Sequence, residues 1–193
     1  MKSGTSSRKG IGALPLILVL VVVLAGAFLL YRSRLPGPEA KKATPGMPAG
    51  TSSGPSGLRI APPFSLPDTN GNIYSSARFA GKPAVINFFA TWCPPCKAEI
   101  PGFVAVYDKH KGAGFELVGI SLDTDTRENL PGFMMNNRIG YKIVFGDLAT
   151  ARAYGGVSSI PTTFFVGKDG EIKNVHVGYM DKESFDREVR KLL

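Results

Sequence analysis

Cys93 and Cys96 are the only cysteines in this chain of 193 residues, and they stand together in Trp92-Cys93-Pro94-Pro95-Cys96. The apolar run from Lys82 to Phe89 reads as a buried strand just before them. After them Ile100, Phe103, Val104 and Tyr107 recur at helical spacing. The pair therefore opens a helix where a strand hands over to it. A helix N-terminus carries partial positive charge and unpaired N–H groups, which favour a thiolate. A lowered thiol pKa makes a cysteine a useful nucleophile near neutral pH. Two intervening residues bring the second sulfur within bonding reach of the first, across one helical turn. The expected chemistry is attack of Cys93 on a substrate disulfide and resolution of the mixed disulfide by Cys96. The Cys93–Cys96 disulfide is then the redox group, with no metal and no organic cofactor.

Three other uses of the pair compete. A structural zinc site needs two more ligands, and His110 and His176 offer neither the spacing nor the partners. A purely structural disulfide around so small a loop would constrain the unfolded chain little. Two inert buried thiols are the third. The setting favours redox chemistry, because a C-x-x-C opening a helix inside an α/β pattern is the expected redox signature.

The elements that must position the motif follow from the pattern. Phe64-Ser65-Leu66 and Ile73-Tyr74 flank Asp68-Thr69-Asn70-Gly71, a hairpin signal. The helix after the cysteines ends at Gly112 and Gly114. Glu116–Ser121 is the next strand. Asp125-x-x-Glu128 resembles a capping box opening a helix to about Arg138. A short strand at Ile143–Phe145 and a short helix at Leu148–Tyr154 follow. Thr162–Val166 and Ile172–Val177 are strands joined by the turn Lys168-Asp169-Gly170. Asp181 caps a last helix with Phe185, Val189 and Leu192 buried. This order predicts an α/β sandwich with a mixed sheet. There is no internal repeat and no glycine-rich phosphate loop.

Ahead of this body lies a different region. Residues 1–58 hold seven Lys/Arg and one Glu, whereas residues 59–193 hold 16 Lys/Arg and 14 Asp/Glu. The basic excess belongs to the N-terminal segment, and a nucleic-acid-binding body loses its main support. Residues 1–10 read as a basic tail. Residues 11–31 carry no charge and as a helix would span about 30 Å, the thickness of a bilayer core. Arg32 and Arg34 follow, with Tyr31 placed as an interfacial anchor. A cleavable signal is the rival, with Ala25-Gly26-Ala27 as its site. Cleavage there would leave an unusually apolar end, Phe28-Leu29-Leu30, which favours an anchor. Residues 32–57 are rich in Pro, Gly, Ser and Ala and read as a flexible linker. The expected arrangement is a single pass with the N-terminus inside and residues 58–193 on the extracytoplasmic (periplasmic) side of the cytoplasmic membrane.

With these residues in view, the chain resembles the thioredoxin superfamily, and within it the membrane-tethered TlpA/ResA-like thiol–disulfide oxidoreductases. The resemblance covers about residues 60–193. It is carried by APPFSLPDTNGNIYSSARFAGKPAVINFFATWCPPCKAEIP and GVSSIPTTFFVGKDGEI. It implies a thioredoxin-like α/β fold with an N-terminal β-hairpin and a central insertion over about 123–147. The family's attacking and resolving cysteines fall on Cys93 and Cys96, its cis-proline on Pro161, and its helix-kinking proline on Pro101. Glu99 matches a family glutamate placed to accept the proton of Cys96. If desolvated, its pKa would rise toward neutrality; a solvated surface glutamate beside Lys97 is the alternative. The backbone of Ile160, before the cis-proline, is implied to pair with an extended substrate. Trp92 is expected to pack over the motif and limit access to it.

Two departures from the family pattern matter. Thioredoxin has a buried aspartate six residues before its first cysteine, and here that position is Asn87, which cannot titrate. Proton handling passes to Glu99, water or substrate. Pro94 and Pro95 have no N–H to offer the Cys93 sulfur, and no histidine lies in the motif to compensate. A reductant or a protein of moderate potential is expected, not a strong oxidant. The resemblance implies substrates among disulfide-containing exported proteins, with apocytochrome c as one candidate, and a membrane electron donor of CcdA or DsbD type. The G-V-x-G-x-P-E-T signature of CcmG-type members is not met by Gly156–Thr163. Rival functions are a copper-site thiol reductase or Cu(I) metallochaperone, for which Met134, Met135 and Met180 could be invoked, and a peroxiredoxin-like peroxidase. The last fits poorly, because Ile86 and Ala90 stand where its P-x-x-x-T/S-x-x-C pattern needs Pro and Thr or Ser.

Overall fold

A computed structural model describes residues 59–193 and, before them, Leu24 alone. The expected tail, anchor and linker at 1–57 lie outside the described residues. Among the described residues no helix is long and apolar enough to cross a membrane.

The chain enters through a hairpin of β1 (Ser65–Pro67) and β2 (Ile73–Ser75), followed by a 3-10 turn at Ser76–Phe79. Then come β3 (Ala84–Phe89), α1 (Pro94–His110), β4 (Glu116–Ser121), α2 (Leu130–Asn136), β5 (Lys142–Phe145) and α3 (Leu148–Ala153). The chain closes with β6 (Thr162–Val166), β7 (Ile172–Val177) and α4 (Lys182–Leu192). The main sheet has the order β5-β4-β3-β6-β7. β3, β4 and β5 run parallel, while β6 and β7 run antiparallel to their neighbours.

All six residues of β3 are buried, as its unbroken apolar run requires for a central strand covered on both faces. Its alternation sorts the two cores. Val85 and Phe89 face the layer built from α1, α2 and α4, with Phe103, Val106, Leu130 and Phe185. Ala84, Ile86 and Phe88 face the hairpin and Tyr154, with Phe64, Leu66, Tyr74 and Phe164. Period-2 geometry places Asn87 on the first face, under α1. The hairpin docks against the β5 edge through a bridge between Asp68 and Val144 and a 3.0 Å ion pair from Lys142 to Asp68. α1 and α4 cross closely at Gly102, where an added Cβ would lie 3.1 Å from Lys182 Cβ. Phe103 and Phe185 stack there with ring centroids 3.7 Å apart.

The face of α1 expected from Ile100, Phe103, Val104 and Tyr107 meets the core, with Ile100 and Phe103 buried and Val104 and Tyr107 half-buried against it. One local expectation is corrected. The helix expected from Asp125 to about Arg138 is shorter. A 3-10 turn occupies Arg127–Asn129 and α2 starts only at Leu130, with no side-chain cap at either start. Pro131 explains the late start, since its fixed φ and missing N–H suit a first helical turn. Arg138, at φ 54°, lies just beyond its end in the left-handed region. The added helix and strand of the insertion are therefore α2 and β5, the latter paired parallel to β4.

Gly119 of β4 tests this packing. A Cβ there would collide with Ile143 Cδ1 and lie 3.0 Å from Phe89 Cε1. Gly119→Ala is expected to destabilise the protein by about 1–3 kcal/mol through overpacking, read by urea denaturation. An unchanged midpoint would show slack between β4, β5 and the layer above them.

Candidate active site

Cys93 is the N-cap residue of α1, in extended backbone, and Pro94 and Pro95 fill the first helical positions. Prolines suit those positions because the first turn has no intrahelical use for their missing N–H groups. The helix therefore starts at the motif, and the first backbone donor left to the sulfur is Cys96 N–H, 3.3 Å from Cys93 Sγ. Cys93 and Cys96 form a disulfide with a Cα–Cα separation of 5.3 Å. Both residues are buried, 2% and 0% exposed, while Pro94, Pro95 and Lys97 are exposed.

The second side of the site comes from the loop before β6. The Ile160–Pro161 bond is cis. The Ile160 carbonyl oxygen lies 3.8 Å from Cys93 Sγ, and the Pro161 carbonyl accepts from Gly178 N–H at 2.8 Å. Sequence-distant segments thus meet at the sulfur.

Glu99 is only 2% exposed, so the solvated-surface alternative does not hold. It lies one turn beyond Cys96, on the face of α1 that meets the sheet. Asn87 Nδ2 donates to its Oε1 at 2.9 Å, and Met180 N–H donates to its Oε2 at 3.2 Å. Asn87 also donates to Thr163 Oγ1 at 3.0 Å, across the register pair that joins β3 to β6. Burial pushes the Glu99 carboxyl up to about 8, against the opposing pull of these two hydrogen bonds. A buried acid near neutrality, one turn from a cysteine, can take up and return a proton.

Trp92 is 59% exposed, which excludes a core role. With Thr91 it lines an open groove whose other residues come from the insertion, among them Thr126, Asn129 and Phe133. Met180 is buried in the same core cluster as the two cysteines, Met134 packs against that cluster, and Met135 is largely exposed. His110 pairs with Asp186 at 2.7 Å, and His176 contacts the Tyr179 carbonyl at 3.0 Å.

Sequence reasoning missed Asp123. It is fully buried at the end of β4 and accepts from Thr91 N–H, Thr91 Oγ1, Ser121 Oγ and Thr126 Oγ1. Burial pushes its carboxyl up, but the hydrogen bonds from Thr126, Thr91 and Ser121 outweigh it and hold the group below its ordinary value. The only signal was an acidic residue directly behind an apolar strand, with Ser121 two residues before it.

With this geometry in place, comparison with known proteins decides the family. The AhpC/TSA family profile matches residues 58–175. The chain belongs to the AhpC/TSA family. Within it, the chain is 34% identical to the thiol-disulfide oxidoreductase ResA of Bacillus subtilis, over 62% of this chain and 66% of that protein. It is 29% identical to ResA of Geobacillus kaustophilus, over 68% and 75%. A solved thiol:disulfide interchange protein of the thioredoxin family from Chlorobium tepidum matches with a TM-score of 0.65 and 36% identity, covering 71% of this chain and 97% of that one. This AhpC/TSA member has a thioredoxin-like fold and is a thiol–disulfide oxidoreductase of ResA-like type.

The Glu99 carboxyl makes a pH prediction. It keeps its proton in the folded state up to about pH 8, whereas the unfolded chain releases it near 4.5. Between those values the folded state binds more protons, so stability falls as pH rises through the window. The loss is on the order of 4 kcal/mol for a shift of this size. Urea titrations of the oxidised protein at pH 5 and pH 8.5 check it. Glu99→Gln is expected to flatten the difference, and equal slopes in parent and variant would contradict a buried titrating Glu99.

Proposed function

We propose that this enzyme reduces disulfides in exported proteins on the extracytoplasmic side of the cytoplasmic membrane, with apocytochrome c a candidate substrate. The observation that carries the reading is Glu99, a buried carboxyl held one turn beyond Cys96 by Asn87 and the Met180 backbone N–H.

In the proposed cycle the Cys93 thiolate attacks one sulfur of the substrate disulfide. A mixed disulfide forms and one substrate thiolate leaves. Cys96 gives its proton to the carboxylate form of Glu99, whose share grows as pH rises toward 8, and its thiolate attacks the Cys93 sulfur. The Cys93–Cys96 disulfide forms, the second substrate sulfur leaves as a thiolate and takes up the proton held on Glu99, and two electrons have passed from enzyme to substrate. The Ile160 backbone pairs with the substrate strand beside the sulfur, the cis Pro161 shapes that edge, and Trp92 flanks the approach. Re-reduction draws on a membrane donor of CcdA or DsbD type. The anchor over 11–31 and the linker over 32–57 hold the domain within reach of that donor. The relatives named thiol-disulfide oxidoreductase ResA, together with a solved Chlorobium tepidum protein described as a thiol:disulfide interchange protein DsbE, support thiol–disulfide exchange as the chemistry.

The reduction potential tests the direction. Trp92 is the only tryptophan and adjoins Cys93, so its fluorescence should follow the redox state in thiol buffers. A potential below about −220 mV is expected, and one above about −150 mV would mean that the protein oxidises its partners. Glu99→Gln is expected to slow resolution roughly 100-fold at pH 8.5, where the parent's Glu99 is a carboxylate, and to accumulate the mixed disulfide, as loss of a proton acceptor should. Stopped-flow kinetics with a disulfide peptide measures this, and an unchanged resolving rate would remove Glu99 from the cycle.

A further inference from the structure

The loop that carries the cysteines has an anchor outside the motif. Thr91 lies two residues before Cys93. Its backbone N–H meets Asp123 Oδ2 at 3.0 Å, and its hydroxyl donates to Asp123 Oδ1 at 2.6 Å. The same carboxylate accepts from Ser121 Oγ at 2.7 Å and from the hydroxyl of Thr126. Four donors thus converge on two oxygens, which fills the acceptor capacity of a carboxylate. Thr126 opens the insertion. The next residue, Arg127, donates from Nε to the Asp123 carbonyl at 3.1 Å and from Nη2 to the Gly146 carbonyl at 3.2 Å. Its guanidinium also lies over the Phe145 ring, 5.1 Å from the centroid. Gly146 N–H in turn donates to the Ser121 carbonyl at 2.8 Å. Both ends of the insertion are pinned where the redox loop is pinned.

We propose that Asp123 is a positioning residue for the Cys93–Cys96 pair: it holds the loop ahead of Cys93 and joins that loop to the entry of the central insertion. The physical argument is one of effective concentration. An intramolecular disulfide forms in proportion to how firmly its two thiols are held together. Cys96 is fixed by helix α1, whereas Cys93 is the capping residue at its edge and is fixed by the loop behind it. Asn at position 123 supplies one acceptor oxygen and turns the other into a donor facing donors. Ala supplies none and leaves the Thr91 N–H and three hydroxyls, those of Thr91 and Thr126 half-buried and that of Ser121 buried, without this acceptor. Either change frees the loop. The inference rests on Cys93 and Cys96 being the reacting pair, and it makes the insertion part of the redox site.

The test is the equilibrium of the full chain with reduced and oxidised glutathione, followed by Trp92 fluorescence. The variants are Asp123→Asn, Asp123→Ala and Thr91→Val, the last of which keeps the backbone bond and loses the hydroxyl. The control is Val166→Ala, which opens a cavity at the end of β6 that pairs with the start of β3, away from the cysteines. Asp123→Asn and Asp123→Ala are expected to lower the equilibrium constant for disulfide formation about fivefold or more, with a smaller change in the same direction for Thr91→Val. Val166→Ala is expected to lose thermal stability with that constant unchanged. Should Asp123→Ala not fold, Asp123→Asn and Thr91→Val decide the matter. If the constant stays within about twofold of the parent in both while thermal stability falls as in the control, Asp123 is merely structural and the proposal is overturned. Exchange of the parent with glutathione tests the redox reading itself, and the ratio of variant to parent tests Asp123 alone.

Discussion

A carboxyl group placed inside an apolar core, with only neutral amide donors for company, governs the rest of the arrangement. Glu99 is desolvated because α1 lies flat on β3, and its two hydrogen bonds come from Asn87 and the Met180 backbone. Those donors offset part of the penalty but carry no charge, so the acid form stays competitive near neutral pH. An aspartate at position 87 would put a second carboxyl within hydrogen-bond distance. Asn87 avoids that repulsion and donates to Glu99 and Thr163 together. In the proposed cycle, this departure from the thioredoxin pattern goes with proton handling passing from the sheet to the helix.

The cysteine pair is held from three directions. α1 fixes Cys96, the cis Pro161 loop lies against Cys93 Sγ, and the Asp123 cluster holds the approach to Cys93. The three come from strands β3, β4 and β6, which are neighbours in the sheet. Parallel β3 and β4 bring their C-terminal ends to one edge, and antiparallel β6 brings its N-terminal start to the same edge. Assembly of the site is therefore a consequence of strand direction.

Much of this was legible from local pattern. The apolar run of β3, the hairpin around Asp68–Gly71, the strands β6 and β7 and the Asp181 cap each follow from short-range signals and stand where expected. Cys93 and Cys96 were identifiable because their motif is local, and Pro161 through the resemblance carried by the segment around it. The burial of Glu99 was open, since a glutamate beside Lys97 reads equally well as surface until β3 is set beneath it. Asp123 was illegible for a related reason. Its partners Thr91 and Thr126 are ordinary polar residues until β3 and β4 are paired. The insertion helix was misjudged because Asp125-x-x-Glu128 imitates a start signal, whereas Pro131 sets the start.

Pro94 and Pro95 have a further consequence. Both point into solvent and neither fills space in either core, yet they decide how many N–H dipoles face the Cys93 sulfur. The two positions work as an external trim on the electronics of a buried atom. Exchange there alters thiolate stabilisation while leaving the layers beneath in place, so members of such a fold can diverge in electron affinity without rebuilding their interior.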